Sequence, residues 1–230
     1  MYNPKMPQVP KFLQRLDMWR LRRHSAAFSA PTKPHFGLPQ TTEFFAKALQ
    51  NASALIEFGA GGSTYMAASM GLPFVSVESD ATFLGMMRDK ISHDWSIDPN
   101  LQHFVHRSIG LTRRWGRPLI LETPDRSRLA LFKGLSDFPT EAQSLPLERA
   151  VVLIDGRFRV ACALKSLRAL QGRDFLLLVD DFRSRRHYRV ISDFADAQPM
   201  QGRMAVFRPR QSVDTAALDA AIHQNVLDWR

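Results

Sequence analysis

The sequence predicts an α/β fold built on a doubly wound, mostly parallel sheet of about seven strands. Three observations carry that expectation. From Thr41 onward, short β-prone apolar runs alternate with segments of helical periodicity. The run "ALIEF" is followed by a turn in which Gly59, Gly61 and Gly62 permit backbone angles that other residues resist, and a small-residue helical segment comes next. A second apolar run, "PFVSV", then closes on Glu78. A strand, glycine turn, helix and strand with an acid at the end hold an adenosine-containing cofactor. The backbone approaches it at the glycines, and the carboxylate takes two ribose hydroxyls.

Element by element, residues 1–36 read as a basic arm ahead of a domain at 37–230. Pro4, Pro7, Pro10, Pro31 and Pro34 bracket "KFLQRLDMWRLRRHS", where Phe12, Leu13, Leu16 and Trp19 share one face of a short amphipathic helix expected at 11–23. Such a face rests on its own domain, a second copy of the chain or a membrane surface. "TTEFFAKALQNA" reads as a helix capped by Thr41 or Thr42 with Glu43 near its start. A strand at 54–58 leads through the glycine turn to a helix that Ser63 and Thr64 cap and that runs to Met70. A strand at 73–78, a helix at 81–91 and the strand "LQHFVHRSI" follow. Residues 110–148, rich in Arg, Pro and Ser, read as an irregular insertion too long for an ordinary connection and therefore functional. "AVVLID" is a strand, "RVACALKSLRALQ" a helix and "DFLLLVDDF" a strand; a helix at 185–197, the strand "GRMAVFRP" and a helix at 213–227 complete the chain. Ligands of such a sheet gather at the carboxyl ends of its strands.

Composition narrows the classes. An apolar content of 45% over 230 residues suits one domain with a sizeable core. Cys162 is the one cysteine, so no internal disulfide exists, and it reads as a core residue on an apolar helix face. No transmembrane run and no secretory layout are present, which makes a cytoplasmic protein the expectation. The net charge of +9 gathers at Arg20, Arg22 and Arg23, at Arg113, Arg114 and Arg117, and at Arg183, Arg185 and Arg186. These clusters suit nucleic acid, an acidic surface or an anionic substrate, or a simply solvated face.

Over roughly residues 40–210 this order resembles the class I S-adenosylmethionine-dependent methyltransferases, a Rossmann-like superfamily. The stretch "EFGAGGST" is similar to its first motif, with Glu57, Gly59 and Gly61 in place and Ser63 where a third glycine usually stands. Glu78 matches the ribose-gripping acid. The resemblance implies a methyl-donor site formed by Glu57, Gly59, Ala60, Gly61, Ser63, Thr64, Glu78 and Ser79, closed by Ser108, Ile109 and Gly110 around adenine and by Asp155. Glu57 faces the donor's amino-acid end or serves as a structural hydrogen-bond acceptor. "SIGLTRRWGRP" is similar to a stretch in a group of bacterial methyltransferase-like proteins of unassigned substrate, where Trp115 walls the pocket or anchors the loop.

Asp155 ends one strand, and Asp180 and Asp181 end the next. Three carboxylates at neighbouring strand ends require a cation, arginines or protons to offset their repulsion. The layout resembles metal-dependent O-methyltransferases of the catechol and macrocin types, which implies Mg²⁺ on Asp155, Asp180 and Asp181 and catalytic roles for Asp155 and Asp181. Alternatively the aspartates pair with Arg157, Arg159, Arg183 or Arg185, or those arginines receive an anionic group of the acceptor. The stretch "DGRF" is unlike the Asp/Asn-Pro-Pro-aromatic pattern of base amino-group methylation. No zinc spacing, nucleophile elbow or phosphate loop occurs, and the scattered histidines, including His103, His106 and His187, read as surface or satisfied groups.

The leading expectation is therefore methyl transfer from S-adenosylmethionine to an oxygen of a small molecule or glycan, with a homodimer as one arrangement. The alternatives are a nucleic-acid methyltransferase or binding protein, a non-catalytic methyltransferase-like binding module, and an NAD-dependent oxidoreductase.

Overall fold

The computed structural model describes residues 29–113, 116–119 and 124–230. Helix α1 spans Pro39–Gln50, followed by β1 (Leu55–Phe58), α2 (Gly62–Ser69), β2 (Phe74–Glu78), α3 (Ala81–Asp94) and β3 (Gln102–His106). A two-stranded hairpin of β4 (Thr112–Arg113) and β5 (Arg117–Pro118) precedes α4 (Arg126–Leu135) and a 3-10 turn at Thr140–Ser144. Then come β6 (Ala150–Ile154), α5 (Arg159–Ala169), β7 (Phe175–Val179) and two 3-10 segments, Phe182–Ser184 and Arg186–Asp193. Strands β8 (Ala195–Gln201) and β9 (Met204–Pro209) and helix α6 (Thr215–Asn225) end the order.

The main sheet has seven strands in the order β3-β2-β1-β6-β7-β9-β8. Strands β3, β2, β1, β6 and β7 pair in parallel, and β9 runs antiparallel to both of its neighbours. The sequence-based fold class is therefore correct. The antiparallel β9 set between β7 and β8 departs from the parallel 3-2-1-4-5-6 order of dinucleotide-binding domains.

Strand alternation explains the double winding. Ile56, Phe58, Val75, Val77, Val152, Ile154, Leu177 and Val179 join one core, with Ala161, Leu164 and Leu167 of α5 and Leu218 of α6. Leu55, Phe74, Val151, Leu153 and Leu178 join the other, with Phe45 and Leu49 of α1, Ala67 and Ala68 of α2, and Met87 and Ile91 of α3. Both faces are dry, so these strands read as continuous apolar runs.

Four local expectations change. Helix α1 starts at Pro39, whose ring suits the first helical position, and the Thr41 hydroxyl donates instead to the Gln201 carbonyl of β8 (3.2 Å). Gly61, not Ser63 or Thr64, caps α2. The segment 110–148 is less irregular than expected, since it contains the hairpin, α4 capped by Asp125, and the 3-10 turn. The helix expected at 185–197 is the second 3-10 segment followed by the start of β8. Strand β8 lies at the sheet edge with mostly exposed residues, so it has no apolar alternation and tolerates Pro199. The expected helix at 11–23, with Arg20, Arg22 and Arg23, and the residues Arg114 and Trp115 lie outside the described residues.

Candidate functional site

The chain leaves β1 for β2 and β3 on one side and returns through β6 and β7 on the other, so the boundary between β1 and β6 is the topological switch point. There the Phe58 carbonyl accepts from the amides of Asp155 (3.0 Å) and Gly156 (2.5 Å). Gly59 has φ +111°, and a Cβ on it would lie 2.6 Å from the Gly156 nitrogen. Only glycine lets the two strand ends meet this closely.

Glu57 shares the Leu55 face of β1 and so points towards α2 rather than into the crevice. Its carboxylate accepts from Ser63 Oγ (2.6 Å) and from Thr64 Oγ1, and the residue is wholly buried. Thr64 Oγ1 in turn accepts from the Gly61 amide (2.9 Å) and lies 3.3 Å from Ser76 Oγ. Of the two roles open to Glu57, the geometry favours the structural one, in which it fastens the glycine turn from beneath. Burial pushes its carboxyl up to about 7 despite the three hydroxyls, with a further push from Asp155. The folded protein thus holds this proton more tightly than the unfolded chain. The group favours folding fully below its ordinary value of 4.5, and that contribution fades as pH rises through about 7. Glu57→Gln is expected to remove this dependence. Denaturation of both proteins at a series of pH values should show the wild type losing up to roughly 3 kcal/mol more than the variant across that window.

Glu78 is half-buried at the end of β2. Its carboxylate receives the amides of Ser79 (2.6 Å), Asp80 (2.9 Å) and Ala60 (3.2 Å) and the Ser79 hydroxyl (3.0 Å). Burial raises its pKa while those bonds oppose the rise. The acid is therefore held beside the glycine turn, as the sequence suggested. Beyond it, His106 Nε2 lies 3.3 Å from the Ser79 carbonyl, and the turn at Ser108, Ile109 and Gly110 has Ile109 buried and Gly110 at φ +80°. Arg128 of α4, which sequence reasoning missed, meets that turn: its Nη2 donates to the Leu111 carbonyl (3.1 Å), and its Nε is buried without a partner.

The carboxylates past β6 and β7 do not form the expected Mg²⁺ site. Asp180 is buried, and both of its oxygens are held by Arg203, from Nε at 2.9 Å and Nη2 at 2.8 Å. Asp155 pairs with Arg159 at 3.0 Å, and Asp181 lies 3.2 Å from Arg203, 3.5 Å from Arg159 and 3.6 Å from Arg185. No group of three or more His, Cys, Asp or Glu side chains could hold a metal among the described residues. Arginines do the compensating, the alternative that the sequence left open. Arg159 is itself buried, and its guanidinium also donates to the carbonyls of Gly156, Asp155 and Asp180. About one third of the Asp155 side chain (34%) remains exposed. Desolvation by its surroundings pushes its carboxyl up to about 7 against the pull of Arg159, with Asp180 and Asp181 adding to the rise. Arg203 was missed because β8 was not read as a strand, so the β8–β9 turn that carries Arg203 read as the start of the late strand.

Two segments roof the crevice. A Cβ on Gly62 would fall 2.1 Å from the Lys33 carbonyl, so residues 33–34 press on the start of α2, and Arg203 Nη2 holds the His35 carbonyl at 2.9 Å. On the other side, a Cβ on Gly116 of the β4–β5 hairpin would lie 3.1 Å from Ser79 Oγ and 3.8 Å from Arg157 Cγ. Surface depressions of about 420 and 360 Å³ lie beside β3 instead. They lack the glycine turn and the gathered carboxylates of the switch point. Cys162 is buried with its thiol pushed up to about 12, an inert core group.

No family model and no curated protein matches the chain. Among solved structures, a methyltransferase-like protein from Silicibacter pomeroyi is 28% identical, with a TM-score of 0.68 over 86% of this chain and 99% of that one. The 16S rRNA N2 G1207 methyltransferase RsmC of Thermus thermophilus, in complex with AdoMet and guanosine, is more distant. It is 10% identical with a TM-score of 0.41, over 80% of this chain and 42% of that one. A methyltransferase from Geobacter sulfurreducens is 13% identical with a TM-score of 0.37, over 89% and 91%.

Proposed function

We infer that this chain, a class I methyltransferase-like protein by fold and by similarity, binds S-adenosylmethionine at the switch point and methylates an oxygen of a small molecule or glycan. The observation that carries the reading is the pairing of a glycine turn that admits no Cβ at Gly59 with the Glu78 carboxylate held beside it. These residues fit the donor. Gly61 faces open space, Ala60 and Gly61 offer close backbone approach, and Glu78 accepts the ribose hydroxyls. Ser63 and Thr64 act through Glu57 to keep the turn in place, Ser79 supports Glu78, and Ser108 to Gly110 bound the adenine end. The donor, when bound, supplies a methyl group already activated on a sulfonium sulfur.

What remains for the protein is to orient the acceptor, exclude water and remove a proton. Asp155 suits the last task. It stands at the end of β6 and is partly exposed, and a pKa near 7 balances the fraction in the base form against the driving force for taking a hydroxyl proton. Arg159 fixes one of its oxygens, leaving the other for the acceptor. Asp181 adds negative charge that keeps this carboxyl basic.

With an acceptor in hand, turnover is expected to rise with pH through about 7 as Asp155 loses its proton. Asp155→Asn should reduce kcat by about 100-fold or more and abolish that rise. A wild-type profile without the rise, or an Asp155→Asn enzyme of unchanged kcat, would remove Asp155 from the chemistry.

A further inference from the structure

The turn between β8 and β9 holds the segment that precedes α1. Gly202, at φ +62°, lies so close to it that an added Cβ would stand 2.8 Å from Thr41 Oγ1 and 3.2 Å from Leu38 Cδ1. In the same place the Thr41 hydroxyl donates to the Gln201 carbonyl (3.2 Å). Arg203 extends from this turn as a fork. Its Nε and Nη2 hold the two oxygens of Asp180 at 2.9 and 2.8 Å, and Nε also lies 3.2 Å from Asp181. Nη2 carries a second hydrogen, which serves the His35 carbonyl at 2.9 Å. Asp180 is wholly buried, so its charge keeps the guanidinium in place. One side chain thus fixes both the carboxylates past β7 and the backbone of residue 35.

From His35 the chain can be followed both ways. Towards the N-terminus, a Cβ on Gly62 would overlap the Lys33 carbonyl and lie 2.5 Å from the Pro34 nitrogen. The Lys33–Pro34 peptide therefore rests directly on the first residue of α2. On the other side, Phe36 is buried and meets Phe45 of α1 edge-on, with ring centres 5.2 Å apart. Residues 33–36 form a strap with an apolar anchor at Phe36, a seat on Gly62 and a latch at Arg203. The sheet order gives its place in the crevice. Glu78 and the turn at Ser108 to Gly110 follow β2 and β3, whereas the strap runs from the start of α2, past β1, to Asp180, past β7. With adenine and ribose on the first side, the amino-acid end of the donor falls to the strap.

We propose that Arg203 is a positioning residue that latches the 33–36 strap over the amino-acid end of the methyl donor. This role deepens the methyl-donor reading and rests on it. Arg203 acts through the backbone of His35 and does not itself touch the reacting atoms. A lysine at this position keeps the charge beside Asp180 but has no fork to hold His35 as well.

The test is calorimetric titration of the full chain with S-adenosylhomocysteine and with 5′-methylthioadenosine, which keeps adenine, ribose and sulfur but lacks the amino-acid end. Arg203→Lys should weaken S-adenosylhomocysteine about 10-fold or more and leave 5′-methylthioadenosine within about 2-fold, the pattern expected when bonds that order one end of the site are lost. Gly62→Ala reaches the same strap without touching Asp180. Alanine suits a helix better than glycine, so the same selective loss in this variant comes from lifting the Lys33–Pro34 peptide. Amide hydrogen exchange of the wild-type protein needs no variant. S-adenosylhomocysteine should slow exchange at Lys33, His35 and Phe36, and 5′-methylthioadenosine should not. Two results would overturn the latch. One is a folded variant, as judged by thermal melt, in which both ligands weaken alike or neither changes. The other is a set of strap amides that S-adenosylhomocysteine leaves unprotected. Failure of the wild-type protein to bind either ligand would overturn the donor reading instead.

Discussion

Arg159→Met is expected to destabilise the protein by about 3 to 5 kcal/mol, the usual cost of stranding a buried ion-pair partner. Arg159 is 3% exposed, it bridges Asp155 and Asp181, and it ties down three main-chain carbonyls at the ends of β6 and β7. Methionine fills much of the volume but none of these bonds. The Asp155 and Asp181 charges then face each other with less compensation, and the carbonyls of Gly156, Asp155 and Asp180 lose the Arg159 donor. For a domain of this size the loss corresponds to a fall in Tm of roughly 6 to 20 °C. Asp155→Asn in the same background should recover part of it by removing one stranded charge, so a double-mutant cycle should yield a coupling of about 1 kcal/mol or more. A Tm within about 2 °C of wild type would show that the cluster is held by other contacts.

Gly59→Ala should be nearly as costly and should act on binding as well as on stability. The left-handed backbone at φ +111° costs an alanine about 1 to 3 kcal/mol before any collision. The added methyl would then press on the Gly156 backbone at 2.6 to 2.8 Å, where no flexible side chain can move aside. The β1 and β6 ends must separate, and the bonds from Asp155 and Gly156 to the Phe58 carbonyl weaken. S-adenosylhomocysteine affinity is expected to fall by more than 10-fold. Gly85→Ala, a helical position with open space around it, is the control that should leave S-adenosylhomocysteine affinity unchanged and raise stability by up to about 1 kcal/mol.

The parts of this site that were legible in the sequence are those that backbone geometry forces. Gly59 could be placed because a strand-to-helix turn of this closeness admits few residue types, and Glu78 because it is the acid that closes the second apolar run. The apolar runs of β1, β2, β6 and β7 followed from burial on both faces. Glu57 was ambiguous, because which face of β1 it occupies decides whether it meets a ligand or the hydroxyls of Ser63 and Thr64. Strand β8 was hidden by its edge position, and with it the turn that delivers Arg203 to Asp180. The aspartate trio suggested a metal because residue types alone do not reveal where oxygens point, and here the arginines take them. Arg128 gave no signal, since it belongs to a helix within a segment that reads as irregular.

Calorimetric titration of wild-type protein and Glu78→Ala with S-adenosylhomocysteine and, separately, with NAD tests the central claim most directly. The expected result is one-to-one binding of S-adenosylhomocysteine, no binding of NAD, and a loss of about 1 to 3 kcal/mol in Glu78→Ala, the size expected when hydrogen bonds to a charged group are removed. NAD binding in place of S-adenosylhomocysteine, or an affinity that Glu78→Ala leaves untouched, would contradict a methyl-donor site between the glycine turn and the end of β2.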